Sequence, residues 1–86
     1  MYAVVFSKHA QKDKALLKAA GLEGTARAFL NLLMEDPYRT PPRDEKLSGD
    51  LSGFYSRRLN RQHRIVYSVD RQARIVHILR MWTHYA

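Results

Sequence analysis

The sequence predicts an α+β fold in which an N-terminal strand and two helices pack on one face of an antiparallel sheet. Three observations carry this: a short β-branched run at the amino terminus, two stretches of helical periodicity that end at a proline, and alternating periodicity thereafter. At 86 residues the chain is expected to form one domain over 1–86, too short for a cofactor-binding unit beside a catalytic one.

Tyr2-Ala3-Val4-Val5-Phe6 is short, apolar and β-branched, and Ser7 is a suitable N-cap for the Ala- and Leu-bearing stretch from Lys8 to Ala20. Gly21 is placed to end that helix. Leu22, Ala26, Phe29, Leu30 and Leu33 then fall on a single helical face, giving a second amphipathic helix. Pro37 stops it, and Tyr38 to Asp44, with Pro41 and Pro42, is a loop. Alternating runs near Glu45–Leu47, Phe54–Leu59, Arg64–Val69 and Arg74–Trp82 predict an antiparallel meander. Asn60-Arg61-Gln62 and Asp70-Arg71-Gln72 are short enough for hairpin connections, while Ser48-Gly49-Asp50 and Ser52-Gly53 are turn clusters. With both helices on one side, the other sheet face is left for a ligand.

Composition narrows the partner. Without cysteine, neither disulfides nor thiolate zinc sites can form. His9, His63, His77 and His84 have no paired spacing, a poor pattern for a metal. His9 reads as helix surface, His63 as a structural turn residue and His77 as a half-buried strand position. No apolar run approaches the roughly 20 residues that cross a bilayer, so no membrane is implied and the cytoplasm is the expected compartment. Fifteen Lys and Arg against eight Asp and Glu give +7, and ten of the fifteen are arginine, whose planar fork matches phosphate oxygens. From Arg43 onward there are nine basic and four acidic residues, against six and four before it, so the excess leans toward the second half.

A hairpin symmetric about Arg61 sets Arg58 directly opposite Arg64 on one face. Like charges so paired are unfavourable by roughly 0.2–1 kcal/mol. Two resolutions are open: an anion seated between the guanidinium groups, or arginines that splay into water or pair with Glu45 or Asp50.

From Asp44 to Tyr85 the chain carries Asp44-Glu45-Lys46-Leu47, Asp50-Leu51-Ser52-Gly53-Phe54-Tyr55-Ser56-Arg57-Arg58, His63-Arg64-Ile65-Val66-Tyr67 and Thr83-His84-Tyr85. In this combination it resembles the Txe/YoeB toxins of the RelE superfamily. The resemblance implies a RelE-like fold and an endoribonuclease that cleaves messenger RNA on the ribosome, inhibits translation and is neutralised by a cognate antitoxin. Carried over by position, it makes Glu45 the general base, Arg64 the arginine at the scissile phosphate, His84 the general acid and Tyr85 its partner tyrosine. Arg58, Arg57 and Lys46 become RNA contacts. Ser48 stands where members of the family often have lysine, leaving Lys46 as the neighbouring cation, and Ala86 extends past the usual terminal tyrosine.

These residue types suit the chemistry. A 2′-hydroxyl stripped of its proton attacks the adjacent phosphate and expels the 5′-oxygen, so the protein supplies a base, an acid and cations, without metal or cofactor. Tyr55, Tyr67 and Tyr85 are candidates to stack on bases, although Tyr67 sits in an alternating strand where core is the alternative. The main rival is a non-catalytic nucleic-acid-binding module of the same fold. A ParE-type gyrase poison shares the architecture but generally lacks the glutamate and the terminal His-Tyr pair. The expected partners are mRNA, the ribosome and an acidic antitoxin of the YefM type that folds across the cationic groove, with DNA reached only through the antitoxin complex. A homodimer is compatible with this set.

Overall fold

The computed structural model describes residues 1–39, 44–61 and 63–82. Its first strand, β1 (Ala3–Phe6), leads directly into α1 (Lys8–Ala19). Ser7 makes the junction, as expected of an N-cap: its Oγ accepts from the Ala10 N–H at 3.0 Å and donates to the Leu79 carbonyl at 2.6 Å. The same hydroxyl therefore starts the helix and ties it to the end of the sheet.

Gly21 closes α1 in the left-handed region, with φ of 74°. The Gly21 N–H donates to the Lys18 carbonyl and the Leu22 N–H to the Leu17 carbonyl, the paired bonds of a Schellman end. Leu22 and Leu17 both pack into the core, which completes the motif. The second helix, α2 (Glu23–Glu35), ends one residue before the extended Asp36 that precedes Pro37. Among the described residues no helix is long and apolar enough to cross a membrane.

The remaining strands are β2 (Asp44–Lys46), β3 (Tyr55–Arg58), β4 (Arg64–Asp70) and β5 (Ile75–Arg80), with a 3-10 turn at Gly49–Leu51. They lie in the order β1-β5-β4-β3-β2. The meander from β2 to β5 is antiparallel throughout. β1 is not: it joins the edge of β5 in parallel, pairing Ala3 with Ile75 through Phe6 with Ile78. Three reversals bring the chain back across the sheet to β1, and β5 arrives running in the same direction.

The helix-facing side of the sheet carries the core. Ile65, Tyr67, Val76 and Ile78 meet Ala10, Leu17, Ala26 and Leu33, all at most 5% exposed. Full burial of an aliphatic side chain of this size contributes roughly 1.5–3 kcal/mol, the main force holding helices to sheet. Tyr67 is thus core, one of the two alternatives open from the sequence. His77 is exposed rather than half-buried, because alternation points it to the side away from the helices.

A register shift interrupts the β4–β5 ladder. Tyr67 opposes Ile78 and Val66 opposes Arg80, leaving Leu79 without an opposite residue. Arg80 reaches Asp13 on α1 from there.

Candidate active site

Period two decides what the open sheet face presents. Glu45 on β2 is paired with Ser56 on β3, and Arg58 on β3 with Arg64 on β4, so these four residues share the side opposite the core. The Arg64 guanidinium lies across this surface: Nη1 donates to Glu45 Oε2 at 3.2 Å and to Ser56 Oγ at 3.2 Å. Its side chain is 14% exposed, whereas that of Glu45 is 53% exposed. The result is a carboxylate at the rim, open to a ligand hydroxyl, beside a cation held against the sheet with further N–H donors in its fork.

The Arg58–Arg64 opposition expected of the hairpin is present. Arg64 turns to Glu45, one of the two resolutions left open, while Arg58 stays exposed. The turn itself is drawn tight by the Asn60 side chain, whose Oδ1 accepts from the His63 N–H at 2.8 Å.

Two expected RNA contacts, Arg57 and Lys46, lie on the opposite side of the sheet from Glu45 and Arg64, by the same alternation. Arg57 alternates with Ser56 and Arg58, so it points into the core and is fully buried. Its Nε donates to the Tyr67 hydroxyl at 2.7 Å and its Nη2 to the Pro37 carbonyl at 2.9 Å, so it anchors the loop after α2 rather than meeting a phosphate. Lys46 pairs with Tyr55 and alternates with Glu45; it is exposed, but on the helix side of the sheet. His84 and Tyr85 lie outside the described residues.

The last described residues, Met81 and Trp82, are firmly held, and the residue that holds them was not read from the sequence. Asp13, 2% exposed on α1, accepts from Arg80 Nε at 2.9 Å and Nη2 at 3.3 Å, and from the backbone N–H groups of Met81 at 2.9 Å and Trp82 at 3.2 Å. Burial alone would push the Asp13 carboxyl up, but the Arg80 guanidinium and the two backbone N–H groups outweigh it and hold the pKa below its ordinary 3.8. The Trp82 ring stacks on His63, centroids 3.8 Å apart and planes 22° from parallel. Ser56 was also missed; fully buried, it hydrogen-bonds Arg64 at the centre of the group. The spacing of Ala10, Asp13 and Leu17 on the buried stripe of α1 was the available signal for Asp13.

The family model for YoeB-like toxins of bacterial type II toxin–antitoxin systems matches residues 6–85. A toxin YoeB from Synechocystis is 37% identical over 67 residues, covering 77% of this chain and 71% of the relative. One from Mycobacterium bovis is 39% identical over 70 residues, covering 78% and 81%. The heterotetrameric YoeB–YefM toxin–antitoxin complex from Staphylococcus aureus has a chain that superposes with a TM-score of 0.81 at 27% identity, covering 99% of both chains. A YoeB dimer from the same organism gives 0.81 at 28%, covering 98% of both. A YoeB/ParE toxin from Agrobacterium tumefaciens shares the fold, with a TM-score of 0.86 at 22% identity over 96% of this chain and 99% of the other.

Proposed function

Since the chain belongs to the YoeB-like toxins of bacterial type II toxin–antitoxin systems, we propose that it is an endoribonuclease that cuts messenger RNA on the ribosome without a metal. The observation that carries this reading is the 3.2 Å contact between Glu45 and Arg64 on the open sheet face. A base for a 2′-hydroxyl and a cation for a phosphate stand within one nucleotide's reach of each other there.

In the proposed reaction the arriving phosphate draws the Arg64 fork from Glu45, freeing the carboxylate to take the 2′-hydroxyl proton. The 2′-oxygen attacks phosphorus, and the 5′-oxygen leaves with a proton from His84, Tyr85 assisting. The products are a 2′,3′-cyclic phosphate and a 5′-hydroxyl end. Arg64 and Arg58 offset the charge that builds on the phosphoryl oxygens, Ser56 holding Arg64 in place. Each of the acid and the base is expected to contribute about 10²–10⁴-fold. The reaction belongs in the cytoplasm, where ribosomes and message meet.

The physiological partner in this reading is an acidic antitoxin of the YefM type, and DNA is bound only through their complex. The +7 chain supplies the complementary charge. A homodimer is part of the same proposal, as in the staphylococcal toxin.

The test is to mix the protein, Glu45→Ala and His84→Ala with message programmed on bacterial ribosomes in the presence of a chelator, and map the new RNA ends. Cuts that resist chelation, leave 5′-hydroxyl ends and require both residues are expected. Undiminished binding with no cleavage by the unsubstituted protein would make it a binding module instead.

A further inference from the structure

We infer that the hollow on the open sheet face bounded by Phe54, Ser68 and His77 is a nucleobase subsite, taking one unstacked base of the message beside the phosphate at Glu45 and Arg64. This deepens the ribonuclease reading and rests on it.

The register lays the open face out in rows. Glu45, Ser56 and Val66 oppose one another across β2, β3 and β4, with the Arg58–Arg64 pair on one side of them. On the other side, two residues along the strands, comes a further row. Val5 opposes His77, His77 opposes Ser68, and Phe54 falls opposite Ser68 because its neighbour Tyr55 opposes Tyr67. At about 3.3 Å per residue the rows stand about 7 Å apart, a step that one nucleotide of an extended strand covers. A hollow of about 340 Å³ opens over this row, and Val5, Phe54, Ser68, His77 and Leu79 line it. Small-molecule sites run from roughly 300 to 1,000 Å³, so the space suits a single base.

Its chemistry selects a base over a phosphate. No Lys, Arg, Asp or Glu lines the hollow, whereas the arginines stand on the far side of the Glu45 row. Of the three phenylalanines, Phe6 and Phe29 pack against the core and Phe54 does not, which leaves its half-buried ring on the ligand side. Unstacked bases of single-stranded RNA stack on such rings and offer their edges for hydrogen bonding. The Ser68 hydroxyl and the exposed His77 ring make no side-chain hydrogen bond to another described residue, and stand beside Phe54 as donors and acceptors. Val5, 46% exposed on the edge strand, adds an apolar wall.

The experiment measures single-turnover cleavage of ribosome-bound message at subsaturating toxin by the unsubstituted protein, Phe54→Ala, Phe54→Leu and His77→Ala. Each receives the intact message, messages made abasic at one nucleotide on either side of the mapped cut, and messages with each of the four bases there. Phe54→Ala is expected to cut the intact message about 10-fold more slowly, the loss of one stacked base. One abasic position should slow the unsubstituted toxin by a similar factor, and slow Phe54→Ala by less than about twofold further. His77→Ala should reorder the four bases at that same position and at no other. Phe54→Leu, which keeps an apolar side chain but removes the aromatic face, is the second variant if Phe54→Ala does not fold, and must show the same dependence on the base. Cleavage of the intact message at full rate by the folded Phe54 variants overturns the inference. So do penalties that multiply at every abasic position, the mark of a general loss of structure. If those penalties multiply and Phe54→Ala also sediments as a monomer where the unsubstituted toxin is a dimer, the hollow belongs to a second copy of the chain instead. Absence of cleavage by the unsubstituted protein overturns the ribonuclease reading and the inference with it, an outcome that arm reports alone.

Discussion

Arg57 and Arg58 are adjacent in the chain and opposite in consequence. Arg58 faces the ligand side beside Arg64, whereas Arg57 donates its hydrogen bonds inside the core to Tyr67 and Pro37. Replacing Arg57 with leucine removes a buried donor from two acceptors, and urea unfolding should show a loss of about 1–3 kcal/mol. The RNA affinity of the folded fraction should stay within about twofold. Asp13 offers a second contrast at this scale. Its folded pKa lies below the ordinary 3.8, so between the two values the folded state binds fewer protons than the unfolded state. Stability from this carboxylate is therefore full above about pH 3.8 and is lost as pH falls through the depressed folded value. The stability gap between the unsubstituted protein and Asp13→Asn should shrink as pH is lowered through that window. A gap that stays constant down to pH 2 would show that the carboxylate's charge is not what Asp13 contributes.

At the scale of elements, boundaries that rest on local chemistry were legible and those set by tertiary pairing were not. Ser7 and Gly21 mark the ends of α1 in the sequence because a cap and a positive φ are requirements of single residues. A Cβ added at Gly21 would meet nothing within 4 Å, so Gly21→Ala costs only the left-handed backbone, about 1 kcal/mol. For a domain of this size that lowers the melting temperature by roughly 4–8 °C, read by thermal denaturation. The parallel seating of β1 on β5 could not be read the same way, because it joins segments about 70 residues apart and leaves no local mark. The candidate site shows the same division. The motif identified Glu45, Arg58 and Arg64 as a group, and strand alternation then divides the neighbours that a motif quotes together, sending Lys46 and Arg57 to the other face. Asp13 escaped because its partners are Arg80 and two backbone N–H groups 67 or more residues away.

Across the whole molecule, the charge of +7 matters through the side on which it sits. Arg58 and Arg61 are exposed at the β3–β4 end of the sheet, and Arg71 and Arg74 at the β4–β5 turn. A single strand of RNA drawn to such a surface releases counterions, so affinity falls with salt by a slope of about 0.7 per phosphate neutralised. If the open face is where RNA lies, the slope counts only cations on that face. Arg58→Ala should lower it by about 0.7 on an uncleavable 2′-deoxy oligonucleotide titrated over a range of salt, while Lys46→Ala, the same change in net charge on the opposite face, should leave it unaltered. Both variants remove exposed side chains, so stability should move by no more than about 0.5 kcal/mol and the comparison is one of position alone. Equal reductions would mean that RNA responds to the total charge of the chain, and the Glu45–Arg64 face would lose its claim to be the binding surface.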